Sequence, residues 1–166
     1  MKAIVWQGPE RMTVEERPDP VDPGAGELIV RPQAVGICGS EIEGYLGHMG
    51  NRTPPLVFGH EFAGVVVAAG PEAGELEGAR VAVNPLSGCG HCRLCRAGHS
   101  NLCLDRKLIG VHSDGAFADF VRAPLIIGLV LVSVGVRLAT RPAGASPHSP
   151  NRVREIVDEG NRLAGT

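Results

Sequence analysis

The apolar positions of the first 124 residues fall in short runs broken by glycine, proline and polar residues, a pattern of strands and turns rather than of long helices. KAIVWQ, TVEER and ELIVRPQAVGIC predict three strands, and the PDPVDPGAGE between the second and third predicts a surface turn. From Ser40 to Gly47, SEIEGYLG predicts one or two helical turns with Ser40 as N-cap, stopped by NRTPPL, so that Cys38 stands just before a helix. FAGVVVAAG and ARVAV predict two further strands. A cysteine-rich excursion follows, after which KLIGV and AFADFV predict a hairpin closed by the turn residues HSDG.

Beyond Pro124 the pattern changes. LIIGLVLVSVGV is continuously apolar, RPAGASPHSPN has the composition of a linker, and RVREIVDEGNRLAG places Val153, Ile156, Val157 and Leu163 at helical spacing. The apolar run from Leu125 to Val136 is short of the roughly 20 residues that a membrane-spanning helix requires, and predicts a buried strand. The expected organisation is therefore one domain over residues 1–124 and a divergent segment over 125–166.

Composition narrows the class without changing that picture. A chain of 166 residues buries one core, and 23 glycines with 13 prolines suit short strands joined by tight turns. With 16 basic against 18 acidic side chains there is no cationic excess for nucleic acid or an anionic membrane, which leaves small molecules or proteins as partners. The start MKAIVWQGPE lacks the apolar stretch of a signal peptide, and the cysteine usage fits a reducing compartment, so the expected location is the cytoplasm.

The cysteines carry the strongest chemistry. Cys89, Cys92, Cys95 and Cys103 stand at C-x2-C-x2-C-x7-C, close enough for one loop to place four thiolates about 2.3 Å from a single Zn2+. The seven residues before the last cysteine depart from the bacterial ferredoxin spacing, and paired disulfides would call for an oxidising compartment. His91 and His99 share the loop and are expected to be exposed bystanders. A second set, Cys38 with His60 and Glu61, combines thiolate, imidazole and carboxylate, the ligand types of an open zinc site. On spacing alone, a cysteine after a strand reads equally well as a small buried hydrophobe.

Taken together, GICGSEIEGYLG, PLVFGHEFAGVVVAAG, GARVAVNPLSGCGHCRLCRAGHSNLC and DGAFADFV resemble, in order and spacing, the catalytic domain of zinc-dependent medium-chain alcohol dehydrogenases, from Met1 to about Pro124. The likeness is greatest to the polyol, sorbitol and threonine dehydrogenase branch. It implies a mainly β, GroES-like barrel with short helices and a zinc lobe over residues 84–106. It also implies two zinc ions: a structural one on Cys89, Cys92, Cys95 and Cys103, and a catalytic one on Cys38 and His60 with Glu61 as a further ligand. Ser40 matches the hydroxyl that binds the substrate alcohol and passes its proton outward. The family's relay continues to a histidine five residues after the cysteine, a position held here by Glu43, while His48 is expected to be a loop residue.

In such enzymes a zinc-polarised alcohol gives a hydride to NAD or NADP held by a separate Rossmann domain. No G-x-G-x-x-G turn occurs here: Gly24-Ala25-Gly26-Glu27 lacks the third glycine, and GCGHC is consumed by the cysteine cluster. The resemblance thus implies a truncated catalytic domain for a small alcohol or polyol, inactive alone, with no family counterpart for residues 125–166. A homo-oligomer, or a cofactor domain supplied by a separate chain, would be its partner. The alternative is a non-catalytic zinc module that pairs with another protein.

Overall fold

The computed structural model describes residues 1–71 and 73–125. The chain divides into two compact units, Met1–Val134 and Gly135–Thr166, and the described residues all belong to the first. The strand expected over 125–136 and the helix expected after residue 151 lie, beyond Leu125, outside the described residues.

Alternation builds the first sheet. In β1 (Lys2–Gly8) Ala3 and Val5 turn inward while Lys2 and Ile4 face out, and Trp6 is buried against Phe58 with ring centroids 5.3 Å apart. β2 (Arg11–Glu16) returns antiparallel with Val5 opposite Thr13, and β4 (Leu56–Val57) pairs along the other edge of β1. The second sheet centres on β3 (Glu27–Val35), flanked by β5 (Phe62–Ala69) and β9 (Val121–Pro124), with β6 (Arg80–Ala82) outside β5. Leu28, Val30, Phe62, Val66, Val81 and Val121 meet in its core. Burial contributes roughly 1.5–3 kcal/mol for each fully buried large aliphatic or aromatic side chain of this cluster.

Two expectations need correction. The N-cap of helix α1 (Gly39–Tyr45) is Cys38, and Ser40 lies inside the first turn. KLIGV and AFADFV do not form a hairpin: β8 (Lys107–Leu108) pairs with β7 (Leu86–Ser87), and the next strand starts only at Val121 and returns to β3. The reason is competition for backbone donors. The N–H groups of Gly115, Ala116 and Phe117 bond to the carbonyls of Val57, Gly59 and Phe58 at 2.8–2.9 Å, so this stretch is spent on bracing the segment that leads to His60.

That brace explains Gly59. Its φ is +101°, and a Cβ there would stand 2.9 Å from the Phe117 nitrogen, so the turn that delivers His60 admits glycine alone without strain. No helix among the described residues is long and apolar enough to cross a membrane.

Candidate functional site

Two groups of ligand-type side chains gather among the described residues. In the lobe, Cys92 caps the one-turn helix α2 (Arg93–Arg96), its sulfur accepting the Cys95 N–H at 3.4 Å, and a 3-10 turn over Ser100–Leu102 brings Cys103 back to Cys89. The Cys89 and Cys95 sulfurs are 4.0 Å apart, and those of Cys92 and Cys103 are 3.9 Å apart. A tetrahedron of sulfurs about 2.3 Å from zinc has edges of about 3.8 Å, whereas a disulfide requires about 2.05 Å. All five cysteines are unpaired. The backbone N–H groups of His91 and Cys92 hold the Cys89 thiol down at about 6, while burial pushes Cys95 up to about 12. His91 and His99 are exposed and stand outside the group of four, as expected.

The second group joins Cys38, Glu41 and His60, whose ligand atoms lie within 4.8 Å of one another. Cys38 closes the exit from β3, Glu41 comes from the first turn of α1, and His60 follows the Gly59 turn. Glu41 is buried at 3% exposure, with one oxygen accepting the Cys38 N–H at 2.7 Å and the other 2.6 Å from His60 Nδ1. That second contact has the distance of an ion pair without the alignment of a hydrogen bond, and neither atom has another partner among the described residues. One Glu41 oxygen is thus committed to the Cys38 N–H and the other stands against the imidazole, where a small rotation of the ring would complete the outer-shell arrangement that leaves the other ring nitrogen for a metal.

Glu61 stands apart from this group. It is exposed, with its carboxylate against the backbone of Gly36, where a Cβ would meet it at 2.7 Å. Ser40 Oγ lies 3.4 Å from Nη2 of Arg52, the other buried charge among the described residues. Glu43 pairs with Nδ1 of His48 at 2.9 Å on the exposed side of α1.

Sequence reasoning missed Glu41 and Arg52. For Glu41 a signal was available: C-x-x-E at a helix start has the spacing of a capping box, in which the carboxylate at the third helical position turns back to the cap's N–H. Arg52, in a proline-flanked loop, carried no such signal.

A mainly β domain that gathers four cysteine sulfurs in a lobe and a half-buried cysteine–histidine pair beside its sheet has the ligand types of the zinc-binding class of folds. Residues 24–130 match the model of the alcohol dehydrogenase GroES-like domain, and the chain belongs to that family of medium-chain dehydrogenase domains. It is 41% identical over 126 residues to the starvation-sensing protein RspB of Escherichia coli (strain K12), covering 75% of this chain and 37% of that protein. It is 40% identical over 132 residues to scyllo-inosose 3-dehydrogenase of Thermotoga maritima, covering 71% and 33%. Among solved structures, the rspB alcohol dehydrogenase of E. coli CFT073, complexed with NADH, superposes with a TM-score of 0.70 at 40% identity, over 75% of this chain and 36% of that one. The chain thus spans about a third of the length of these relatives.

Proposed function

We propose that this chain is the alcohol-binding half of a zinc- and NAD(P)-dependent dehydrogenase acting on a polyol or a related secondary alcohol, resident in the cytoplasm. The observation that supports it most is the convergence of Cys38, Glu41 and His60 around a buried carboxylate, one oxygen of which accepts the Cys38 N–H while the other lies 2.6 Å from the imidazole. In this reading Cys38 and His60 hold a catalytic zinc, Glu61, which stands apart from them in this conformation, joins as a further ligand only by turning its side chain towards the ion, and Cys89, Cys92, Cys95 and Cys103 hold a structural one. The sulfur spacing in the lobe and the otherwise unpartnered imidazole fit those two ions.

Zinc at Cys38 and His60 supplies Lewis acidity towards an alcohol oxygen. Ser40, in the first turn of α1, orients the hydroxyl and takes its proton outward, with the exposed Glu43–His48 pair next along the helix face. Glu41 is a positioning residue for His60. The dinucleotide that accepts the hydride needs a Gly-rich strand-to-helix turn, which these 166 residues do not contain. These 166 residues therefore work with a cofactor-binding half that they do not themselves contain, and do not turn over without it.

The test is a fusion. The chain alone, given NAD+ or NADP+ and sorbitol, should show no reduction of the dinucleotide, whereas residues 1–124 joined to the cofactor domain of a polyol dehydrogenase should, and Cys38→Ser or His60→Ala should abolish it. Turnover by the chain alone would overturn the reading. A second reading, a zinc module that pairs with another protein, draws on Leu102 and Leu104 of the lobe, 54% and 90% exposed. A fusion that keeps its zinc and has no activity would favour it.

A further inference from the structure

Glu41 and Arg52 are the charged side chains buried among the described residues, at 3% and 6% exposure, and both belong to the surroundings of Cys38 and His60. Burying a guanidinium costs several kcal/mol unless opposite charge and good geometry offset it. The geometry here is specific. On one side the Arg52 Cζ lies 4.5 Å from the ring centroid of Phe58, within cation–π range. On the other side α1 carries Gly44, where a Cβ would stand 2.0 Å from Nη1 and 2.9 Å from Cζ, so a side chain at that position would expel the guanidinium. Nη2 reaches Ser40 Oγ at 3.4 Å, while Nε and Nη1 have no hydrogen-bond partner among the described residues.

The two walls of this slot are the two halves of the ligand cluster. Gly44 and Ser40 sit on the helix that Cys38 caps and that carries Glu41, and Phe58 lies two residues before His60. Burial lowers the pKa of Arg52, and the charges of Glu41 and Cys38 oppose that shift, so the cation and the cluster share one electrostatic neighbourhood. We infer that Arg52 is a positioning residue of the Cys38–His60 metal site, clamping α1 against the Phe58–His60 segment and offsetting the negative charge gathered on Glu41 and Cys38. The inference rests on the reading of Cys38 and His60 as metal ligands.

Its sign separates it from plain electrostatics. By Coulomb's law alone, removing a nearby positive charge tightens the binding of a dication. A clamp predicts the opposite. Zinc affinities of the full chain, measured by chelator competition, should resolve a step lost in Cys38→Ser, with Co2+ substitution giving the visible spectrum of the same site. Arg52→Met should weaken that step about tenfold, at the low end of outer-shell losses, with the lobe step unchanged and Arg52→Lys in between. Gly44→Ala, which suits a helix better than glycine, should reproduce the Arg52→Met loss by filling the slot, and carries the test if Arg52→Met fails to fold.

Unchanged or tighter binding at the Cys38 step in Arg52→Met or Gly44→Ala would overturn the inference, as would an equal loss at both steps, which marks a general structural role. Wild-type chain with no step sensitive to Cys38→Ser would overturn the metal-site reading and the inference together.

Discussion

The four-cysteine lobe and the Cys38–His60 cluster offer related ligand chemistry by opposite routes. The lobe draws its four cysteines from one continuous stretch, folded by a single helical turn, a 3-10 turn and the short β7–β8 pair at its base. The cluster is assembled from the end of β3, the first turn of α1 and a glycine-dependent turn after β4, and it is held by a buried carboxylate and a buried guanidinium. One group depends on its own loop, with a metal ion able to organise it. The other depends on the whole domain being folded already, so its geometry is inherited from the sheet.

The largest expected effect follows from that contrast. Cys103, at 1% exposure, is the most buried lobe sulfur, and Cys103→Ser should remove one of two zinc equivalents and lower the melting temperature by more than about 10 °C, because structural zinc adds its binding free energy to folding. Cys38→Ser should remove the other equivalent and move the melting temperature by less than about 3 °C. Metal analysis with calorimetry on the two variants reads both numbers. Equal thermal losses would break the comparison.

A smaller effect sharpens it. Glu41→Gln keeps the shape of the side chain and removes its charge, and should weaken zinc at Cys38 and His60 by about 10–100-fold with the lobe affinity unchanged. Chelator competition decides it, and a loss at the lobe would contradict the independence of the two groups.

The smallest lies away from both. Glu27 accepts the Gly24 N–H at 2.9 Å and pairs with Arg122, and these contacts hold its carboxyl below the ordinary range. With the folded value depressed, its contribution is present above the ordinary carboxylate pKa and is lost as pH falls through the folded value. Glu27→Gln should therefore lower stability near neutrality by under about 1 kcal/mol, after screening by solvent, with the difference from wild type closing in acid. Denaturant titrations at pH 7 and pH 3 test this, and zinc content at pH 7 should stay the same.

What could be read in the sequence followed the same division. The lobe was legible because its information is local: four cysteines at fixed spacing predict a cluster without reference to the rest of the chain, and the four sulfurs do come together. Strands β1, β2, β3 and β5 were legible from alternation and turn residues, as was the short helix after Cys38. The hairpin expected from KLIGV and AFADFV was not there to be found, because the donors of Gly115, Ala116 and Phe117 go to a segment more than fifty residues earlier, a pairing that no local pattern encodes. Glu41 was half visible, through its capping spacing, but its approach to His60 depends on how β3 and the Gly59 turn converge. Arg52 was invisible for the same reason, its slot being defined by Gly44 and Phe58 from two other segments.

The pairing of β3 with β9, Val30 opposite Val121, also bears on the order in which the domain is made. β3 emerges early in synthesis, and its partner β5 follows it in the chain after α1 and β4, yet its other edge has no partner until β9 arrives. That contact closes a loop of roughly ninety residues, and the entropy of closure grows with the logarithm of the loop, so it belongs among the late events of folding. Until then β3 presents unpaired backbone along one side, a template for intermolecular pairing. The lobe lies within this loop, and metal bound to Cys89 and Cys103 would draw their positions together, shortening the free chain that β9 has to search across. Zinc availability during synthesis would then influence how much of the nascent protein escapes aggregation, beyond what it adds to the finished fold.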